Sequence, residues 1–206
     1  MKVLLINGSP HKAGCTYTAL CEMEKQFKEL GVETEIVWTG AQPIGGCMGC
    51  GACRKLGKCV IDDIVNDIAA KLDGADGIVI GSPVHYAAAS GQITSAMHRL
   101  FYSSGAKLAG KPGCAVVSCR RGGASAAFDQ LNKYFGISNM PVVTSQYWNQ
   151  VHGNTPEEVL RDEEGLQTMR TLVLNMTWLM KCIEAGKNAG VDLPQYEQKV
   201  KTNFIR

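Results

Sequence analysis

The chain has 206 residues, of which 45% are hydrophobic and 19% charged, with a formal net charge of +2. That composition suffices for one well-buried core, and the small net charge with no basic stripe gives no electrostatic reason to expect nucleic acid or an anionic membrane as partner. No apolar run approaches the roughly 18 residues that cross a bilayer, and the opening MKVLLINGSP is too short for a secretory signal, so a cytoplasmic protein with reduced cysteines is expected.

Apolar, strand-like runs alternate with helical patterns along the chain. Residues 2–7 predict a buried strand, 16–30 an amphipathic helix ended by Gly31, and 33–38 a second strand. A cysteine-rich loop follows at 45–60. Asp62 predicts the cap of a helix running to about residue 72, and 77–81 a third, glycine-bounded strand. Residues 91–102 read as helix, 113–119 as a fourth strand, 124–135 as helix and 140–145 as a fifth strand. Thr155, Pro156 and Glu158 combine a capping hydroxyl, a proline at the first helical position and a reciprocal glutamate, which opens a C-terminal helical extension from about 156 to about 189. With no linker or repeat, 1–206 reads as a single α/β domain, a parallel sheet covered by helices on both faces. Such sheets bind ligands beyond the carboxyl ends of their strands, so the loops after strands one, three and four carry the functional weight.

The first of these loops is Asn7-Gly8-Ser9-Pro10-His11-Lys12-Ala13-Gly14-Cys15-Thr16-Tyr17-Thr18. The free amides of a first helical turn, the hydroxyls of Ser9, Thr16 and Thr18, and the charge of His11 or Lys12 suit a phosphate. Neither G-x-G-x-x-G nor G-x-x-x-x-G-K-[ST] is present, so a single phosphomonoester fits better than a pyrophosphate or triphosphate. The loop after strand three, 81–91, offers Pro83, Tyr86 and small residues as a wall for a flat ring. The loop after strand four, Ser118-Cys119-Arg120-Arg121-Gly122-Gly123, supplies exposed backbone and two guanidiniums for negative charge. Tyr147 and Trp148 after strand five read either as part of a subunit interface or substrate cover, or as packing for the C-terminal helices.

Cys47, Cys50, Cys53 and Cys59 form a C-x2-C-x2-C-x5-C run threaded with Gly45, Gly46, Gly49 and Gly51. Glycine permits the positive φ that turns thiolates inward, and in a reducing compartment the spacing indicates metal rather than disulfides. The spacing leaves an iron–sulfur cluster, zinc and an unliganded loop all open. Cys15, Cys21, Cys114, Cys119 and Cys182 are scattered, and no metal role follows for them.

Taken together, NGSPHKAGCTYT, GSPVHYAAASGQ and SCRRGG resemble the NAD(P)H-dependent FMN reductases of the flavodoxin-like superfamily, and GGCMGCGACRKLGKCVIDD is similar to the compact cysteine motif of the iron–sulfur flavoproteins. The resemblance implies a flavodoxin-like three-layer sandwich with a five-stranded sheet of order 2-1-3-4-5, in a homodimer or homotetramer with the flavin near a subunit interface. It implies that FMN phosphate is held by Ser9, His11, Cys15, Thr16 and Tyr17. Cys15 stands where the family often has asparagine, which leaves backbone contact there. It implies that the isoalloxazine is held by Pro83, Val84, His85, Tyr86, Cys119, Arg120, Gly122 and Gly123, with His85, Tyr86 and Arg120 as candidate helpers to chemistry done at the flavin N5. It further implies a 4Fe-4S cluster on Cys47, Cys50, Cys53 and Cys59. The implied activity takes a hydride from NAD(P)H onto FMN and passes electrons to a quinone, an azo or nitro compound, free flavin, or a ferredoxin-like redox protein through the cluster. Two alternatives stand beside it: an electron carrier for ferredoxin-type partners, and a flavodoxin-like protein whose cysteine loop holds structural zinc or nothing.

Overall fold

The computed structural model describes residues 1–202. Strand β1 (Lys2–Asn7) is an inner strand of a parallel sheet, flanked by β2 (Glu33–Trp38) and β3 (Gly77–His85). Its side chains alternate between two cores, as the two-residue period of a strand requires. Leu4 and Ile6 join Ile78, Ile80, Ala115 and Val117 on one face, while Val3 and Leu5 join Val79 and Val116 on the other. All of these are fully buried, which explains why the strands read as continuous apolar runs rather than alternating ones.

The second face is covered by α1 (Cys15–Glu29) and by α7 (Glu163–Asn188). Helix α1 presents Thr16, Ala19, Leu20, Met23 and Phe27 on a single stripe, the spacing expected of a 3.6-residue period. The first face is covered by α3 (Ile64–Lys71), α4 (Gly91–Ser104) and α5 (Ala124–Ile137). The result is the expected flavodoxin-like three-layer sandwich.

Four local expectations need correction. The third strand does not stop at Gly81. It runs on to His85 and folds back through Tyr86 and Ala87 into a two-residue strand β4 (Ala88–Ala89), so the loop after it is a hairpin. The fifth strand is not continuous over 140–145. Pro141 to Val143 brush the start of β5 (Gly113–Cys119), with Gly113 donating to Pro141 O at 2.9 Å and Val143 donating to Gly113 O at 2.9 Å. The chain is then drawn off toward α7, where Asn175 Nδ2 donates to Thr144 O at 2.8 Å and Ser145 Oγ to Thr168 O at 2.7 Å. It rejoins β5 as β6 (Gln150–His152), and the sheet order becomes β2-β1-β3-β5-β6 with β4 on β3. The cap of α3 is Asp63, not Asp62, because the Asp63 carboxylate accepts from Val65 N at 3.0 Å. The C-terminal extension is broken into a short α6 (Pro156–Val159) capped by Thr155 and the long α7 capped by Asp162. In addition, a short helix α2 (Cys53–Leu56) forms inside the cysteine loop.

Candidate functional site

The carboxyl ends of β1, β3, β5 and β6 open on one edge, and the loops leaving them are bonded to one another. Gly8 N donates to Gly81 O at 2.9 Å, and Ser90 Oγ donates to Gly8 O at 2.7 Å. A Cβ on Gly8 would lie 2.5 Å from Ile93 Cβ, so only glycine permits the first and third loops to approach this closely. Trp38 Nε1 donates to Ser9 O at 2.8 Å, and Gly153 N donates to Cys119 O at 3.1 Å. Gly123 takes φ +88, and a Cβ there would meet Ala87 Cα at 2.8 Å, so the fourth loop rests on the hairpin.

Helix α1 begins at Gly14 with no side-chain cap, which leaves the N–H groups of Cys15, Thr16 and Tyr17 directed out of the first turn toward the loop. Ser9 is nearly buried and its Oγ accepts from His11 N at 3.1 Å, folding the loop over that helix end. His11 and Lys12 are exposed beside it, with Lys12 Nζ 5.7 Å from the Trp38 ring centre. The Thr16 hydroxyl faces inward, 2.8 Å from Ser118 Oγ. The Cys15 thiol donates to Gly153 O at 3.6 Å, and burial pushes it above the ordinary thiol range. Tyr17 lies along α1 against the Cys21 thiol one turn on. From these three residues the loop therefore receives backbone amides rather than side chains. An uncapped helix N-terminus lined by amides fits the phosphate of FMN.

Tyr86 and Ala87 form the two-residue turn of the β3–β4 hairpin with φ 49 and 59. This is the mirror-image geometry that asparagine and glycine normally occupy, so a tyrosine and an alanine hold it against an intrinsic cost of about 1–3 kcal/mol each. The Tyr86 ring is fully exposed, and His85 beside it is also exposed. Pro83 and Val84 are half-buried below them. Across the rim, Cys119 is buried at the end of β5, and Arg120 and Gly122 project into solvent. Strained backbone presenting an exposed aromatic, next to a loop that carries an arginine, is a wall suited to a flat, electron-accepting ring. Tyr147 and Trp148 meet edge to face with centroids 4.8 Å apart and line a separate cavity of about 340 Å³ with Phe128 and Thr144.

The cysteine loop leaves the same sheet edge after β2. Thr39 N donates to Asn7 O at 3.0 Å, and Gln92 Nε2 on α4 donates to Gln42 O at 3.2 Å. Gly49 and Gly51 adopt the expected positive φ, 65 and 69, and Gly57 ends α2 at φ 70, whereas Gly45 and Gly46 do not use that freedom. All four thiols are free and line one cavity with Arg99, Tyr102 and Ile61. Among the described residues no three His, Cys, Asp or Glu side chains converge on a point that one ion would occupy. A single zinc ion draws its sulfurs to within about 3.8 Å of each other, while a four-iron cluster takes one thiolate at each separate iron. Four thiols on the wall of a common cavity supply the donors that either group requires.

The residues that hold this loop escaped sequence reasoning. Arg99 is completely buried on α4, and all five of its N–H groups are used. Nε donates to Cys59 Sγ at 3.2 Å, Nη1 to Gly45 O at 3.3 Å and Asp63 Oδ2 at 2.6 Å, and Nη2 to Ile61 O at 2.7 Å and Asp63 Oδ1 at 2.8 Å. Asn66 brackets Cys59 from the other side: its Oδ1 accepts from Cys59 N at 3.1 Å and its Nδ2 donates to Cys59 O at 3.0 Å. The signal was an arginine at a core position of α4, between Met97 and Leu100, since arginine is almost never fully buried unless paired.

Asp63 titrates accordingly. Burial acts to raise its carboxyl, but the Arg99 hydrogen bonds, the Val65 N–H and the Arg99 charge together outweigh burial and hold it below the ordinary range. Its stabilising contribution is therefore present above the unfolded value of about 3.9 and is lost as pH falls from there through the lower folded value. The stability gap between wild type and Asp63→Asn should be constant above about pH 5 and shrink below about pH 4. Urea titrations of the reduced chain across that range check this, and a gap unchanged down to pH 2 would contradict it.

Residues 1–155 match the family described as NADPH-dependent FMN reductase. The chain belongs to that family. Membership in the FMN reductase family makes it an oxidoreductase that works with FMN. The chain is 34% identical over 192 residues to an iron–sulfur flavoprotein of Methanocaldococcus jannaschii, covering 89% of this chain and 100% of that one. It is 28% identical over 193 residues to an iron–sulfur flavoprotein of Methanosarcina thermophila, covering 91% and 100%. Among solved structures it superposes on RosB with its bound intermediate 8-demethyl-8-formylriboflavin-5'-phosphate at a TM-score of 0.69 and 16% identity, over 100% of this chain and 94% of that one. It superposes on an archaeal flavodoxin at 0.60 and 15%, over 88% and 99%. Those two likenesses establish the fold. No helix among the described residues is long and apolar enough to cross a membrane.

Proposed function

We propose that this FMN reductase family member is an iron–sulfur flavoprotein that takes electrons from NAD(P)H and delivers them, through FMN and a four-iron cluster, to a small-molecule acceptor or a ferredoxin-like protein. The observation that carries the reading is the placement of the four-thiol cavity and the flavin-type loops on one helix. Ser90 at the start of α4 bonds the first loop, and Arg99 on the same helix bonds Cys59, about 13 Å further along the helix axis.

FMN when bound supplies both hydride and one-electron chemistry, which lets a two-electron donor be coupled to a one-electron carrier. The chain's own residues position it. The α1 amides and the folded Ser9–His11 turn hold the phosphate, Pro83 to Tyr86 form one wall of the ring site, and Arg120 stands where its charge favours an anionic ring. Cys47, Cys50, Cys53 and Cys59 supply four thiolates for the cluster, and the exposure of Cys47 and Cys50 keeps that end open to a partner. The reading includes a homodimer or homotetramer, in which Tyr147 and Trp148 join the subunit contact.

Protein purified without oxygen and assayed for flavin, iron, sulfide and zinc tests this directly. About one FMN with about four iron and four sulfide per chain is expected, and Cys50→Ala should lose the iron while retaining FMN. Stoichiometric zinc with no iron would replace the cluster by a structural site, and absence of FMN would overturn the flavin reading.

A further inference from the structure

Arg99 holds a position that its packing alone does not require. A methionine or leucine would fill the same apolar slot of α4 between Met97 and Leu100, yet the chain buries a guanidinium there and spends one N–H on a sulfur. Among the five N–H groups, two face Asp63, two face loop carbonyls, and the Nε–H faces Cys59 Sγ at 3.2 Å. Cys59 is the member of the run separated by five residues rather than two, and it lies on the buried side of the loop while Cys47 and Cys50 are exposed. Its main chain is fixed independently by Asn66. One sulfur of the four is therefore set by two neighbours, through its side chain and through its backbone, before any ligand arrives.

We infer that Arg99 is a positioning residue that sets the reduction potential of the metal centre through Cys59, with Asp63 as the opposing charge that trims the effect. The inference rests on the cluster reading proposed above. A four-iron core of charge 2+ on four thiolates carries a net charge of 2−, and one added electron makes it 3−. A hydrogen bond and a positive charge at one thiolate both favour the more negative state, so Arg99 raises the potential and eases entry of the electron. The Asp63 carboxylate sits on the far side of the guanidinium, at 2.6 and 2.8 Å, and cancels part of its field at the sulfur. Hydrogen bonds to sulfur and local charge are among the recognised controls of such potentials. The two residues thus predict shifts of opposite sign from neighbouring sites, which a purely structural role would not produce.

The test is a redox titration, followed by the electron paramagnetic resonance signal of the one-electron-reduced centre, on anaerobically reconstituted full-length protein with dithionite as reductant. Arg99→Gln should make the centre at least about tenfold harder to reduce at a fixed potential, a fall of about 59 mV for a one-electron couple. Arg99→Lys retains the charge but not the planar fork and should fall between that variant and wild type. Asp63→Asn keeps a competent helix cap and should raise the potential. If Arg99→Gln loads no iron, the Lys and Asn variants still decide the sign. Potentials of all loaded variants within error of wild type would overturn the inference while leaving the cluster reading intact. A wild-type protein that takes up no iron under these conditions would overturn both, and the iron assay identifies that case.

Discussion

Arg99→Met should destabilise the metal-free, reduced chain by about 3 kcal/mol, the low end of the loss on breaking a buried ion pair. Methionine fills the hydrocarbon volume of the slot, so the cost comes from what is left behind. The Asp63 carboxylate loses both guanidinium bonds, and the carbonyls of Gly45 and Ile61 lose their donor. Asp63 keeps 27% side-chain exposure, so water recovers part of its loss, which is why the low end applies. Urea unfolding followed by circular dichroism measures the change. The double variant Arg99→Met, Asp63→Asn should recover much of the stability, because asparagine keeps the α3 cap while removing the charge that the single variant strands. A loss below about 1 kcal/mol in the single variant would mean that the network opens to water and does not anchor the loop.

The loop that Arg99 anchors was only half legible in the sequence. The thiol spacing and the glycines were visible because they are local, and Gly49 and Gly51 turn as their spacing suggests. The tether was not, since Arg99 stands 40 residues from Cys59 and 36 from Asp63. The same division runs through the fold. β1, β2, β5 and the helices on both faces follow from apolar periods and caps. The β3–β4 hairpin did not, because its turn residues Tyr86 and Ala87 lack any turn chemistry and are held at positive φ by tertiary context. The fifth strand was misplaced because 140–145 has strand composition, but the segment is bonded to α7 far along the chain, Thr144 O accepting from the Asn175 side chain and the Ser145 hydroxyl donating to Thr168 O. In the first loop the residue types were readable and their directions were not. Thr16 reads as a phosphate hydroxyl, yet it sits on the buried stripe of α1 with Ala19, Leu20 and Met23, and its Oγ1 meets Ser118.

On the proposed reading, the inward turn of the Thr16 hydroxyl shifts the weight in the flavin site from that hydroxyl to a glycine. With the FMN phosphate on the α1 amides as proposed, the site depends on the loop's shape and so on the junction at Gly8, where Gly8 N donates to Gly81 O and Ser90 Oγ donates to Gly8 O. Gly8→Val should place a Cβ 2.5 Å from Ile93 Cβ and 2.9 Å from Gly81 O. Neither is the free end of a flexible chain, and the loop must lift. Overpacking of this kind costs about 2 kcal/mol. Lifting the loop swings the Ser9–His11 turn away from the α1 amides, and FMN affinity should fall at least about tenfold, equivalent to about 1.4 kcal/mol. Gly46→Ala is the control, since a Cβ there meets nothing within 4 Å. Fluorescence titration of the apoprotein with FMN, run beside a thermal melt, separates the two effects. If Gly8→Val melts lower but binds FMN as wild type does, the junction serves folding alone and the phosphate is held by something other than the first turn of α1.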